Sequence, residues 1–432
     1  MRVLDNRKET VQRKDDGTNR GGISKPPPPS LSNLPIQCAV GFEFETGWQV
    51  VRQEVMSAGK RGGQIRRHVL NKREKVGRQN HNGFKVEADR AYMGGSELEF
   101  IIYPPLDESV EGMMELQRIM SEIQVYGEKL LVHSGKRSFH LDAVTGIPED
   151  HEFVIFPGDS DLEGGPQITS GLDLSMIPFL LSPSSSEAPK ELQSTLVYMA
   201  RVGATVMRNL DRAEYSPELH GLLTMMASYL IAGRGQLGML AEPYHTYDDL
   251  TKANLAVEYP KIIADTLMAR TDFGRLFELL PEDEAIRFRN NPQQWLDIVI
   301  NACGGYKEYD PFESVIERGI QKDIYSDHPS AEEFPLSRLE WIRDIPFGKD
   351  RLVGLPGDTS MGYLGKKTEK VGRHSDLDAG IFEFRGAQGN KLPLRRWPSF
   401  AMESFRYILA LNGKSPNIGI RQGINSDINI NA

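Results

Sequence analysis

The amino-acid sequence predicts an α+β fold: a curved antiparallel sheet with an acidic catalytic face, covered by helices on its other face and preceded by a disordered tail. Three observations support this class. Short segments alternate between acidic and aromatic residues, as half-buried strands do. Longer segments repeat apolar residues at helical spacing. The N-terminal segment holds too few apolar groups to join a core.

The N-terminal tail, residues 1–34, is basic, with seven Lys and Arg against four Asp and Glu. Four consecutive prolines, Pro26 to Pro29, favour an extended polyproline conformation. We therefore expect a flexible tail and a stiff spacer ahead of one folded domain over residues 35–412. A disordered terminus without any role is the alternative reading of the tail. A second polar tail is expected over residues 413–432.

The domain opens with two predicted extended segments, residues 40–51 and 84–103. Between them lies a Gly-rich loop, residues 59–82, in which eight Lys and Arg accompany a single acid, Glu74. Such a loop could bind a phosphate-rich ligand. A solvated hairpin is the alternative, because the loop lacks aromatic residues that stack on bases.

Helices are expected to follow the strands, and one begins with a clear signature. Ser216, Pro217 and Glu218 combine an N-cap residue, a proline in the first turn and an early acid. A helical insertion is expected around residues 281–365. The helical segments with apolar periodicity are residues 113–123, 192–210, 219–231 and 399–411.

Two short motifs match known fingerprints, and we interpret both as helix boundaries. Residues 233–238 read Gly-x-Gly-x-x-Gly but follow a helix, whereas the dinucleotide fingerprint needs a strand that leads into a helix. Residues 272–274 read Asp-Phe-Gly, without the other motifs of a kinase. Neither motif is expected to bind a nucleotide.

The predicted strands share a polar face. Strand alternation places Glu43 and Glu45 on one side of the first strand and Phe42 and Phe44 on the other. The same pattern recurs in four later segments, so a single sheet would have one apolar and one polar face. The polar face would carry Glu43, Glu45, Glu97, Glu99, His140, Asp142, Gln167, Thr169, Glu383 and Arg385.

Carboxylates that crowd one surface raise one another's pKa unless cations neutralise them. Mg²⁺ binds carboxylate and phosphate oxygens, so it would relieve this repulsion and carry a nucleoside triphosphate to the sheet. The polar face is therefore a candidate site for ATP with its metal ion, with Arg385 directed at phosphate. An ordinary solvated sheet face is the alternative.

The order of these motifs resembles the amidoligase family, which belongs to the carboxylate-amine ligase superfamily of glutamine synthetase and glutamate-cysteine ligase. The resemblance spans residues 38 to about 280 and resumes near 370 to 410. The chain departs from many relatives at Asp142, where they have a second His, and in its additional Glu99. The matching motifs are Gly-x-Glu-x-Glu at 41–45, Asp89 ahead of Glu97, a His140 strand, Gln-x-Thr at 167–169, the segment 252–280 and Glu-x-Arg at 383–385.

The resemblance implies a reaction and roles for its residues. A substrate carboxylate attacks the γ-phosphate of ATP, and an amine then displaces phosphate from the acyl phosphate to form an amide. Arg385 would stabilise the phosphoryl group in transfer, with Glu383 and His140 also in the catalytic set. Gln167, Thr169 and Arg385 would contact the nucleotide. The ligands of Mg²⁺ or Mn²⁺ would be Glu43, Glu45, Glu97 and Glu383.

The tail carries a second resemblance. Residues 10–14, Thr-Val-Gln-Arg-Lys, followed by a Gly- and Pro-rich linker, are similar to the leaders of toxins delivered by phage-tail-like injection systems of bacteria. This implies docking to injection machinery, synthesis in the cytoplasm of the producing cell and delivery into a target cell. The carboxylate and amine substrates of such an effector would include protein side chains.

Composition limits the other possibilities. The two cysteines, Cys38 and Cys303, provide neither a disulfide framework nor a thiolate metal site. The longest apolar run, residues 222–232, is about half of what a membrane span needs. A formal net charge of -9 disfavours nucleic acid as the partner of the whole chain.

Two other function classes stay open. ADP-ribosyltransferases also use Glu-x-Glu on a strand, but there the pair follows an Arg strand and a Ser-Thr-Ser strand, whereas here the Glu-x-Glu pairs come first. A non-enzymatic binding or assembly protein could hold a basic partner on the acidic face. Binding of magnesium ATP at the acidic face discriminates a ligase from a binding protein, because only the ligase requires it.

Overall fold

The computed structural model describes residues 39–55, 65–92, 94–180, 188–210, 214–237, 267–271, 273–305, 315–316, 336–347, 379–385 and 391–413. The predicted N-terminal tail and residues 414–432 lie outside these ranges, as do residues 59–64 of the basic loop. Among the helices in the described ranges, none combines the length and the apolar character that crossing a bilayer requires.

Twelve strands are described. They are β1 (Ala39–Val55), β2 (Ile65–Val69), β3 (Phe84–Tyr92), β4 (Gly95–Ile102), β5 (Leu106–Asp107), β6 (Phe139–His140), β7 (Phe153–Phe156), β8 (Gly164–Leu172), β9 (Leu267–Ala269), β10 (Val315–Ile316), β11 (Leu336–Ser337) and β12 (Gly380–Phe384).

The described α-helices are α1 (Val110–Leu131), α2 (Asp142–Thr145), α3 (Gln193–Asn209), α4 (Pro217–Leu237), α5 (Phe273–Phe277), α6 (Glu282–Asn290), α7 (Pro292–Ala302), α8 (Arg338–Asp344) and α9 (Trp397–Leu411). Helices α6, α7 and α8 lie in the predicted helical insertion.

The predicted fold class is confirmed, because the structure combines helices with a ten-stranded antiparallel sheet. The strand order along the sheet is β3, β4, β1, β8, β12, β9, and the long strand β1 also pairs with β2, β5 and β7. A register shift between Glu45 and Gln49 interrupts the pairing of β1 with β4. Strand β1 therefore connects two regions of the sheet, one on each side of this irregularity.

Helices α1 and α9 cover the apolar face of the sheet. The Phe44 ring on β1 stacks on Trp397 of α9, with ring centroids 4.5 Å apart. Phe100 of β4 makes edge contacts with Trp397 and with Tyr126 of α1. All four side chains are buried. Aromatic packing of this kind fixes the sheet against its helices and leaves the opposite face for the polar side chains.

Helix α4 begins as the sequence predicts. The backbone N–H of Leu219 donates to the Ser216 hydroxyl at 3.1 Å, and Pro217 is the first helical residue. The first five residues of the Gly-x-Gly-x-x-Gly motif lie within α4, so the motif does not join a strand to the start of a helix, and Gly238 lies outside the described residues. Helix α5 begins at Phe273 of the Asp-Phe-Gly motif, and Asp272 lies outside the described residues.

One local prediction is wrong. We expected His140 and Asp142 to alternate along a strand, but β6 has only two residues and Asp142 begins the helical turn α2. Leu141 already has helical dihedral angles, and its carbonyl accepts from the backbone N–H of Thr145 at 3.1 Å. The chain therefore leaves the sheet directly after His140.

Candidate functional site

Five strands place their polar residues in a row on one face of the sheet. Glu43 of β1 lies opposite Gln167 of β8, and Thr169 of β8 lies opposite Glu383 of β12. Residues that are directly opposite in an antiparallel pair project to the same face. The predicted grouping of Glu43, Gln167, Thr169 and Glu383 on a single face is therefore present in the structure.

The row continues on the other side of β1. Glu45 lies opposite Glu99 of β4, and Glu99 lies opposite Glu87 of β3. Asp89 follows Glu87 on β3 and is also buried. We refer to Glu43, Glu45, Glu87, Asp89, Glu99 and Glu383 as the carboxylate cluster.

The carboxylates of the cluster repel one another strongly. Burial, together with the charges of Glu43, Asp89 and Glu45, raises the pKa of Glu99 to about 9. Burial also raises the pKa of Glu43, and the charge of Glu383 adds to this effect. The side chains of Glu43 and Glu99 lie close together, and the charge of Glu43 disfavours a second charge on Glu99. The face thus holds protons that divalent cations could replace.

Glu45 is the third perturbed acid. Burial and the charge of Asp89 raise the pKa of Glu45 to about 7, whereas Arg385, Gln167 and Lys72 act in the opposite direction. The Gln167 amide donates a hydrogen bond to Oε1 of Glu45. Gln167 therefore holds the Glu45 carboxylate in place across the β1–β8 pair.

Two guanidinium groups hold Glu383. Nε of Arg270 lies 3.1 Å from Oε2 of Glu383, and Nε of Arg385 lies 3.2 Å from Oε1. The Glu383 side chain is 4% exposed and each arginine side chain is 26% exposed. Thr271 fixes the backbone beside Arg270, because its hydroxyl accepts from the N–H of Ile381 at 2.9 Å. One end of the cluster therefore has two positive charges within reach of an anion.

A third cation comes from the basic loop. The Lys72 ammonium forms an ion pair with the buried carboxylate of Asp89, although 64% of the Lys72 side chain is exposed. Lys72 also lowers the pKa of Glu43, Glu45 and Glu99. This loop, which the sequence offered as either a phosphate binder or a solvated hairpin, thus contributes one residue to the site.

The residues fit a metal ion that arrives with a nucleotide better than a permanent metal cage. No three His, Cys, Asp or Glu side chains of the described ranges converge as such a cage would require. Neighbours already hold these carboxylates, as Arg270 and Arg385 do for Glu383. Mg²⁺ commonly takes only one or two protein carboxylates and completes its shell with water and phosphate oxygens. Pairs such as Glu43 with Glu99 meet that smaller requirement.

Replacing Glu99 by Gln is expected to stabilise the metal-free protein. Because the folded-state pKa of Glu99 is about 9, the folded chain keeps a proton that the unfolded chain releases above its ordinary pKa of 4.5. The free energy of unfolding therefore falls as pH rises from 4.5 toward 9, and Gln removes this loss. We expect a gain on the order of 3 kcal/mol at pH 7 and a much smaller gain at pH 5.

Denaturant titrations of both proteins at pH 5, 7 and 8.5 measure this effect. Glu128→Gln, on the exposed side of α1, is the matched control for the loss of one negative charge and should change stability little at any pH. A Glu99→Gln protein that is destabilised, or stabilised equally at every pH, would contradict the repulsion inferred for the cluster.

The structure does not bring His140 to the carboxylate cluster. His140 pairs with Val154, which pairs with Val51 of β1, six residues beyond Glu45 and so about 20 Å along the strand. Its ring stacks on His151 at 3.8 Å, and His151 contacts Asp142 at 2.9 Å. His140 thus belongs to a small histidine cluster at the far end of β1.

Glu97 lies at the margin of the cluster. It is opposite Gln49, beyond the register shift in β1, and is partly exposed. The sequence placed Arg270 in a segment of the family resemblance and Lys72 in the basic loop without giving either an individual role, and it did not identify Glu87. Arg270 follows a strand of only three residues, and Lys72 is one of eight similar cations in the basic loop. For Glu87, the one available signal was its alternation with the apolar residues Val86 and Ala88, which indicates that it lies on the polar face of the sheet.

No protein-family model and no curated protein matches the chain. Two solved structures are similar. One is a Vibrio cholerae toxin from the MARTX/VgrG family, with 15% identity over 85% of this chain and 96% of the toxin chain, and a TM-score of 0.34. The other is a mutant VgrG Vibrio cholerae toxin ACD domain in complex with ADP and Mn²⁺, with 14% identity over 84% of this chain and 96% of that chain, and the same TM-score. A likeness at this level transfers neither a reaction nor a substrate to this chain.

Proposed function

We propose that the protein is a carboxylate-amine ligase that uses ATP with Mg²⁺ or Mn²⁺ and forms an amide bond through an acyl phosphate. The observation that carries the proposal is the composition of one sheet face. Perturbed, mutually repelling carboxylates lie on β1 and β4, and two guanidinium groups flank Glu383 on β12. Such a face suits metal-bound phosphates at one end and a transferring phosphoryl group at the other.

Each residue of the face has a role in this proposal. Glu43, Glu45 and Glu383 hold metal ions, whose positive charge neutralises the phosphates, and Glu97 adds a ligand at the margin. Gln167 and Thr169, on the strand between them, contact the nucleotide. These roles are those that the amidoligase resemblance implies, apart from His140, to which we assign no part in the chemistry.

The reaction follows two displacement steps. An oxygen of the substrate carboxylate attacks the γ-phosphorus of ATP, the bond to the bridging oxygen breaks, and ADP leaves. The nitrogen of an amine then attacks the acyl carbon, the carbon–oxygen bond to phosphate breaks, and the amine loses its proton as the amide forms. Arg385 stabilises the charge on the phosphoryl oxygens during the first step. Arg270 keeps Glu383 in place while Arg385 serves this role.

Trapping with hydroxylamine tests this reaction. The protein is incubated with ATP, Mg²⁺, hydroxylamine and either free L-glutamate or poly-L-glutamate as the carboxylate. Hydroxylamine is a small, strong nucleophile, so it should convert the acyl phosphate into a hydroxamate, with one ADP and one phosphate released for each hydroxamate.

Other products would assign the protein to another class. Release of AMP and pyrophosphate would indicate an adenylate mechanism and contradict the proposal. Release of nicotinamide when NAD⁺ is supplied instead of ATP would favour the ADP-ribosyltransferase alternative. Action as a delivered effector stays a prediction from residues 10–14, which lie outside the described ranges.

A further inference from the structure

The face that carries the carboxylate cluster continues along β1 beyond Glu45. Gln49 lies opposite Phe156 of β7, Val51 lies opposite Val69 of β2, and Gln53 lies opposite Arg67 of β2. Gln49 continues the alternation of partly exposed residues that includes Glu43 and Glu45, and the Arg67 guanidinium lies near the Phe156 ring across β1. Gln49, Gln53 and their partners therefore share the side of the sheet that carries Glu43 and Glu45. The active face therefore has an extension that the proposed reaction does not use.

This extension is partly apolar and basic. The Val69 side chain is 44% exposed. The Arg67 guanidinium lies 5.6 Å from the centroid of the Phe156 ring, which holds a planar cation against an aromatic surface. We refer to Arg67, Val69 and Phe156 as the basic platform. Arg73, a further exposed cation, follows in the adjoining loop, where its backbone N–H donates to the carbonyl of Ala88 of β3 at 2.7 Å.

The positive charge of the platform is not cancelled by the acids nearest to it. Residues 65–78 contain six Lys and Arg and a single acid, Glu74. Glu74 pairs with Arg52 at 2.6 Å, and Glu54 pairs with His68 at 3.2 Å. Within the described part of the chain, no ion pair involves Arg67 or Arg73. A positive surface thus borders the carboxylate cluster of a chain whose net charge is -9.

Lys72 connects the two surfaces. It belongs to the same loop as Arg73, and its ion pair with Asp89 reaches into the carboxylate cluster. Gln53 and Glu45 are eight residues apart on β1, which corresponds to about 26 Å of strand. An extended peptide of about eight residues would therefore span the distance from Arg67 to the cluster.

We propose that the basic platform docks an acidic segment of a protein substrate, one of whose side-chain carboxylates is activated at the carboxylate cluster. This inference rests on the proposed function. A carboxylate that approaches the cluster is repelled by it, and a positive surface alongside offsets that repulsion and orients the segment. A free amino acid would not need a surface of this length. A nucleic acid strand would find a single aromatic ring on the platform, already covered by Arg67, on which to stack its bases.

Binding of labelled poly-L-glutamate of about 20 residues, measured by fluorescence anisotropy with the full-length protein, tests the proposal. We expect binding to weaken steeply as the salt concentration rises from about 50 to about 300 mM, because salt screens the attraction between the arginines and the glutamates. Arg67→Glu combined with Arg73→Glu should weaken binding at least about tenfold, which corresponds to about 1.4 kcal/mol. Arg201→Glu combined with Arg208→Glu, on the exposed side of α3, makes the same charge change away from the platform and should have a much smaller effect.

The outcomes separate this proposal from the proposed function. The rise in melting temperature caused by ATP with Mn²⁺ should persist in the Arg67→Glu, Arg73→Glu protein, because neither residue belongs to the carboxylate cluster. If that rise persists but poly-L-glutamate does not bind, or binds equally to both double variants, the platform proposal is wrong while the ligase proposal stands. Tighter binding of a thymidine 20-mer than of poly-L-glutamate would also overturn the platform proposal in favour of nucleic acid.

Discussion

The double replacement Glu43→Gln, Glu45→Gln is expected to abolish stabilisation of the protein by ATP with Mn²⁺. A ligand that binds only the folded state adds about 2.7 kcal/mol at a concentration one hundred times its Kd. For a domain of this size, such a gain raises the melting temperature by about 2 to 4 °C. The variant keeps the size of both side chains and one accepting oxygen on each, but removes the charges that would bind the metal ion.

The same variant should be folded without ligand and at least as stable as the original protein. Burial and like charges raise the pKa of both residues, so uncharged side chains relieve a cost of the folded state. Thermal denaturation with and without the ligand measures both effects. The paired control, Glu128→Gln with Glu149→Gln, removes two exposed charges and should retain the full shift. An unchanged shift in the Glu43→Gln, Glu45→Gln protein would place the nucleotide elsewhere.

Replacing Arg385 by Lys is expected to lower the rate of ADP formation by about 10² to 10³, the loss typical when one donor to a developing charge is removed. Arg385 contacts Glu383 through Nε, so this ion pair does not use its two terminal nitrogens. Lysine keeps the positive charge but cannot hold Glu383 and present a planar pair of donors to phosphate at once.

A second variant, at Arg270, tests whether the loss of rate is specific to Arg385. Arg270→Lys removes the other guanidinium beside Glu383 and should reduce the rate less, because Arg270 is assigned to positioning. Steady-state rates and the nucleotide-induced melting shift should be measured for both. Full activity of Arg385→Lys, with a large loss in Arg270→Lys, would exchange the roles of the two arginines.

The sequence predicted the sheet face well where strands are long and regular. Runs of four residues in which charged and apolar side chains alternate define the two faces of β1, β4 and β12 without further information. The Glu-x-Arg pattern of residues 383–385 likewise indicated that both charges share a face. Local patterns sufficed here because strand periodicity alone decides the direction of the side chains.

Tertiary contacts decided the rest of the site. Arg270 reaches Glu383 because β9 pairs with β12, a contact between segments more than a hundred residues apart. Lys72 enters the site because the loop that carries it pairs with β3 along its edge. Conversely, His140 lies on a strand of two residues whose position follows from pairing with β7. No local pattern in the sequence specifies such pairings.

Crystals of the protein with ADP and Mn²⁺, examined for the anomalous scattering of manganese, test the proposed nucleotide and metal site. We expect manganese within about 2.5 Å of carboxylate oxygens of Glu43, Glu45 or Glu383, with the nucleotide phosphates bound to the same ions. Manganese and nucleotide bound together at any other surface, with the carboxylate cluster still held by Arg270, Arg385 and Lys72, would contradict it.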